Sequence, residues 1–135
     1  MQKITVAYIV PTLCDGGAET LIRNLIPRLV AEPNLDMHVI SIYDPCLTYQ
    51  ECNDLGAKIH VIGRQSRRDI SFAPRLLNTL RTIKPNIVHT HVHSGKFVGR
   101  IAALAAGVPN IVFTEHGDEA KGFVHDNVNN ILNGN

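Results

Sequence analysis

Apolar positions along this chain follow two periods in alternation. Ile4 to Val10 is an almost unbroken β-branched and apolar run, stopped by Pro11 and the loop Thr12 to Gly17. Such a run suits a central strand covered on both faces. From Ala18 to Glu32 the period becomes helical, with Leu21, Leu25 and Leu29 on one stripe and Ile22, Ile26 and Val30 beside it. Pro27 cannot donate to the Arg23 carbonyl and predicts a kink or an early end to the regular helix. Met37 to Tyr43 reads as a second strand broken by Asp44-Pro45, and Leu47 to Leu55 as a helix that Gly56 caps in a left-handed conformation. Lys58 to Ile62 is a third strand, followed by the polar, basic loop Gly63 to Ser71.

Pro74 suits the first residue of the next helix, which carries Leu76, Leu77, Leu80 and Ile83 and ends at Lys84-Pro85. Asn86 to His91 is a fourth strand. Ser94 then caps a helix with Phe97, Val98, Ile101, Ala102 and Ala105, closed by Gly107 and Pro109, and Ile111 to Thr114 is a fifth strand. Strands alternating with helices of crossover length predict an α/β, Rossmann-like parallel sheet of order 3-2-1-4-5 with helices on both faces. The fold is expected over residues 1–117. From Asp118 to Asn135 the apolar periodicity fades, and this stretch is expected to be a loosely ordered tail.

Composition narrows the function classes. The 135 residues are 44% hydrophobic and 19% charged, enough for a core without staples. The formal charge of +1 gives no global pull toward nucleic acid. No apolar stretch approaches the roughly 18 residues of a membrane span, and the start lacks the features of a secretory signal. Cys14, Cys46 and Cys52 are odd in number and form no CxxC, which argues for reduced thiols and a cytoplasmic setting.

In an open parallel sheet ligands bind beyond the carboxyl ends of the strands, near the reversal of strand order. Three segments are expected there. Gly16-Gly17-Ala18-Glu19 opens the first helix, where glycines admit a close ligand and free N–H groups favour an anion such as phosphate. It is not the GxGxxG fingerprint, so a nicotinamide site is disfavoured, and a plain glycine turn is the alternative. The second segment is His89-Thr90-His91-Val92-His93, in which His89 is expected to be a satisfied interior residue while His91 and His93 reach the crevice. The third is Glu115-His116-Gly117. The histidines suit hydrogen bonding to a polar substrate with charge stabilisation, or a metal site of His91, His93 and His116 for hydrolysis. Arg64, Arg67, Arg68 and Arg75 form a local basic cluster, which is either a solvated face or a patch for an anionic surface or acceptor.

The runs YIVPTLCDGGAETLIRNLIPRL and IKPNIVHTHVHSGKFVGRIAALAAGVPNIVFTEHG resemble the N-terminal half of the GT-B glycosyltransferases of family 4, over about residues 3–117. The resemblance implies a single acceptor-side half of such an enzyme, transferring a hexose from a nucleotide sugar to a glycan or lipid-linked hydroxyl. It places Gly16 and Gly17, with Glu19, near the donor diphosphate, and His91 against the transferred sugar as the catalytic residue. His93, His116 and Gly117 would line the same cleft. It implies no metal or other cofactor. The acidic EX7E pair of the family's second domain has no counterpart here, so a donor-binding partner, or self-association through an exposed apolar face, is expected. Many relatives act on lipid-linked acceptors, which would bring the arginine cluster to the inner membrane face as a peripheral contact. A non-catalytic domain that keeps the phosphate pocket is the other expectation.

Overall fold

The apolar run that opens the chain becomes the centre of a five-stranded, wholly parallel sheet. In the computed structural model, which describes residues 2–14, 17–91 and 96–114, the elements follow the alternation of periods. They are β1 (Ile4–Val10), α1 (Gly17–Val30), β2 (Leu35–Ser41), α2 (Tyr49–Leu55), β3 (Lys58–Val61), α3 (Phe72–Ile83), β4 (Ile87–His91), α4 (Lys96–Ala105) and β5 (Asn110–Thr114). The strand order is β3-β2-β1-β4-β5, as expected. The order reverses between β1 and β4, where Tyr8 lies opposite His89 and Ile9 opposite Thr90.

Side-chain alternation in β1 feeds two cores. Val6, Tyr8 and Val10 pack with Met37, Val39, Ile22, Ile26 and Leu55, on the face covered by α1 and α2. Ala7 and Ile9 pack with Ile40, Val88, Leu76, Leu80 and Ala103, on the face covered by α3 and α4. Each fully buried Leu or Ile contributes roughly 1.5–3 kcal/mol by leaving water. This two-sided burial is why β1 reads as a continuous apolar run.

Several boundaries differ from the sequence expectations, β2 among them at Leu35–Ser41 rather than Met37 to Tyr43. Helix α1 runs past Pro27 to Val30, because Ile22 and Ile26 are buried and tertiary packing outweighs the one lost backbone bond. The Pro27 carbonyl still accepts from the Ala31 N–H at 3.2 Å. Helix α3 starts at Phe72 rather than Pro74, since the buried Phe72 side chain anchors its first turn. Gly99 lies where α4 approaches the sheet: a Cβ there would stand 3.1 Å from Thr90 Cγ2 and 3.6 Å from Ile9 Cδ1. Among the described residues no helix is long and apolar enough to cross a membrane.

Candidate functional site

At the carboxyl edge of the sheet the backbone ladder continues past the strands and ties successive βα loops together. Tyr43 N–H donates to the Pro11 carbonyl at 2.8 Å, Ile62 N–H to Ser41 at 2.9 Å, and Arg64 N–H to Ile42 at 2.9 Å. The Thr12 hydroxyl donates to the Asp44 carbonyl at 2.8 Å. Between these loops opens a cleft of about 550 Å³, lined by Thr12, Cys14, Tyr43, Asp44, Cys46 and Arg64 among others. A second cavity of about 460 Å³, lined by Arg81, Lys84, Asn86 and Pro109, lies at the opposite end of the strands. The topology favours the first, since a parallel sheet presents its ligand crevice at the carboxyl ends.

Cys14 and Cys46 are joined in a disulfide with Cα atoms 4.9 Å apart, which corrects the expectation of reduced thiols. The two residues are 32 positions apart and meet because β1 and β2 are neighbours. An odd cysteine count without a CxxC carries no trace of that adjacency. Cys52 is free.

Gly17 is the first residue of α1 and is exposed, and among the described residues a Cβ there would meet nothing within 4 Å. The described residues therefore leave the helix start uncovered. Glu19 sits in the first turn, where its carboxylate complements the positive end of the helix dipole. Gly16 lies outside the described residues, as do His93, His116, Gly117 and the tail 118–135.

The histidines of β4 stand on the α1 face of the sheet. His91 is 4% exposed, its ring 5.0 Å from that of Tyr8 and stacked on His89 at 4.1 Å. His89 Nε2 and Thr114 Oγ1 share a hydrogen bond of 2.6 Å, and its ring meets Tyr8 edge-on at 4.9 Å. His89 is thus satisfied as expected, yet it is the less buried of the two. The expected order of exposure is inverted. Its neighbour Val112 on β5 is exposed, while His91 is buried at the strand end. Burial raises the Tyr8 pKa, so its hydroxyl stays protonated across the physiological range.

The arginine cluster divides. Arg64 donates to the carbonyls of Ser66 at 3.0 Å and Arg67 at 2.8 Å, and its guanidinium lies 4.0 Å over the Phe72 ring. Arg75 pairs with Asp69 at 3.3 Å and also reaches Ser71 and the Gly63 carbonyl. Asp69 is held down at about 2 by the Ser71 hydroxyl, the Gln65 N–H and Arg75. Arg64 and Arg75 therefore shape the β3–α3 loop, and Arg67 and Arg68 are its exposed cations.

A further polar group lies on β2 and β3. The Asp36 carboxylate accepts from His38 Nε2 at 3.2 Å and from Lys58 at 3.3 Å, and His38 Nδ1 and His60 Nε2 are 2.9 Å apart. If Asp36 fixes the His38 tautomer in this way, Nδ1 is the acceptor for the His60 N–H. The i, i+2 spacing of Asp36 and His38, and of Lys58 and His60, was the available sequence signal, since alternate strand residues share a face. Burial pushes the Asp36 carboxyl up, but the bonds from His38 and Lys58 outweigh it and leave its pKa lowered.

The model of the family described as Glycosyltransferase Family 4 matches residues 15–133. The chain belongs to glycosyltransferase family 4. The match starts at the loop before α1 and takes in the helix start, the loops and the β4 histidines of this family 4 chain. A solved UDP-N-acetylglucosamine 2-epimerase superposes with a TM-score of 0.66 at 21% identity, covering 93% of this chain and 35% of the epimerase. The chain thus spans about a third of that protein's length. The C-terminal domain of a hydrogenase from Pyrococcus furiosus superposes with a TM-score of 0.51 at 15% identity, over 86% of this chain and 94% of that one. At such identities these neighbours show the fold, a Rossmann-like parallel sheet. No curated protein matches the sequence.

Proposed function

We propose that this chain is the acceptor-side half of a GT-B glycosyltransferase, and that it helps transfer a hexose from a nucleotide sugar to a hydroxyl of a glycan or lipid-linked acceptor. The observation that carries the reading is the family match over residues 15–133, which includes the start of α1 at Gly17. Free N–H groups of α1 hold donor phosphate, the 550 Å³ cleft holds the acceptor, and His91 supports the sugar centre at the end of β4. The family resemblance assigns Gly16, His93, His116 and Gly117 to substrate binding as well. The protein's part is positioning and electrostatics. A donor-binding domain supplies the other wall, either in a longer chain or in a partner, because differential transition-state binding needs both walls. The setting is cytoplasmic, with Arg67 and Arg68 facing anionic lipid.

The test is turnover of a nucleotide sugar by this chain together with a donor-binding domain. His91→Ala is expected to lower turnover by about 100-fold, the scale of losing one group that stabilises transition-state charge. His89→Ala is expected to lower stability and leave turnover of the folded protein within about threefold, less than 1 kcal/mol. Because His91 is buried, its variant is compared only after its melting curve shows a folded protein. The chain by itself is expected to transfer no sugar. Nucleotide-sugar binding without transfer, even with the second domain present, would replace this reading with a non-catalytic binding module.

A further inference from the structure

We propose that Cys14 and Cys46 form a reversible thiol–disulfide site that latches the β1–α1 loop to the β2–α2 loop beside the cleft. The inference does not depend on the glycosyltransferase reading. It rests on two loops, one bridge and its access to solvent. The Cα separation of 4.9 Å falls within the span that disulfides require.

The loops are held together by bonds that do not involve sulfur. Thr12 Oγ1 donates to the Asp44 carbonyl and Tyr43 N–H donates to the Pro11 carbonyl, while within the second loop the Asp44 carboxylate accepts from the Cys46 N–H at 2.8 Å. Cys46 has φ +59°, a left-handed conformation that a residue with a side chain keeps only when its surroundings impose it. These bonds persist when the thiols are free. The two sulfurs then remain neighbours in both states, and a high effective concentration of one for the other makes closure fast. Cys46 is exposed and both residues line the open cleft, so an incoming thiol or disulfide can reach the pair.

Closure follows thiol–disulfide exchange with a small disulfide of the glutathione class, RSSR. The Cys46 thiolate attacks one sulfur of RSSR, forming the mixed disulfide and expelling RS⁻. The Cys14 thiolate then attacks Cys46 Sγ, forming the bridge and expelling the second RS⁻. The two protons lost by the cysteines end on the two RSH released. Two electrons pass from the protein to RSSR, and excess RSH or a dithiol reverses both steps. The bridged state encloses α1 and β2 in one covalent loop and fixes Gly17, three residues beyond Cys14, relative to Asp44 and the cleft. The open state leaves the two loops joined by these hydrogen bonds alone. The latch therefore couples the redox state of the surroundings to the entrance of the candidate site.

The full chain, equilibrated in glutathione buffers from reducing to oxidising, is quenched in acid, alkylated and measured by intact mass and peptide mapping. The expected result is three alkylated cysteines at the reducing end and only Cys52 at the oxidising end, with the fold retained throughout. Melting of the bridged form is expected to lie roughly 5–10 °C higher, since the bridge restricts the unfolded chain. Amide exchange in residues 17–22 and 42–48 is expected to rise on reduction while that of β4 stays constant. A Cys46→Ser variant should show no buffer-dependent melting shift. Three alkylated cysteines at every ratio, one at every ratio, a bridge mapped to Cys52, or identical exchange in the two states would each overturn the proposal. The unmodified chain alone supplies these outcomes if the variant does not fold.

Discussion

The carboxyl edge of this sheet is built in two ways. On the β1–β2–β3 side the site is made of loops, joined by backbone bonds beyond the strand ends, by Thr12 on Asp44, by the Cys14–Cys46 bridge and by Arg64 folded over Phe72. On the β4–β5 side it is made of strand side chains in register, with His91 stacked on His89 along β4, Tyr8 of β1 edge-on to His89 and tilted to His91, and Thr114 bonded to His89. The first construction tolerates movement of one loop against another. The second is as rigid as the sheet itself.

The contrast is broken most severely by removing the ring that joins the two sides. Tyr8 is buried on the central strand, and Tyr8→Ala is expected to cost about 3–5 kcal/mol, as other large aromatic truncations do. Urea unfolding measures it, and a loss under 1 kcal/mol would show that the histidine stack stands without Tyr8. Next in size is Gly99→Val, which drives a side chain into Thr90 and Ile9. Overpacking of this kind costs about 1–3 kcal/mol. Its effect should appear in amide exchange of β4 before that of the β1–α1 loop, because α4 packs against β4.

The same contrast explains what the sequence revealed. Strand order, both cores and the placement of Gly17 and His91 at one edge follow from hydrophobic period and crossover handedness, which act locally or through general rules. The loop construction was hidden. Cys14 and Cys46 are remote in the chain, and only the β1–β2 pairing brings them together. Arg64 and Arg75 read as surface charge because their carbonyl, ring and carboxylate partners become neighbours only once the loop folds back. The inverted exposure of His89 and His91 was equally hidden, since it depends on how far the sheet face is covered rather than on alternation within β4.

The two kinds of arginine offer a sharper test on the loop side. Arg64→Ala removes two bonds to carbonyls and the contact with Phe72, and is expected to cost about 1–2 kcal/mol. Arg67→Gln and Arg68→Gln, at exposed positions, should stay within about 0.5 kcal/mol. Sedimentation with anionic liposomes reads the opposite ranking: the Arg67 and Arg68 changes should weaken salt-sensitive binding if the loop meets a membrane. Equal stability losses in all three variants would remove the distinction between a folded-in cation and a free one.

The smallest effect separates the sides by pH. On β3, His60 has a pKa lowered below 6.5 by burial and by the neighbouring His38 and Lys58 charges. Its unfolded counterpart titrates near 6.5, so below that pH the unfolded chain takes up a proton that the folded chain resists. The contribution of His60 is therefore full above about pH 6.5, falls as the pH drops toward its lowered folded value, and is constant below it. Asp36 has a lowered carboxylate pKa, so its own contribution is lost only at more acidic pH, below the ordinary value of 3.8. His60→Gln retains an N–H donor for His38 Nδ1 and removes the titration. Urea midpoints between pH 8 and 5 should decline less steeply in this variant than in the parent. Solvent reaches His60, so the difference is expected to be smaller than any of the losses above. Parallel slopes would mean that the Asp36–His38–His60 line does not tie the stability of the β2–β3 side to protonation.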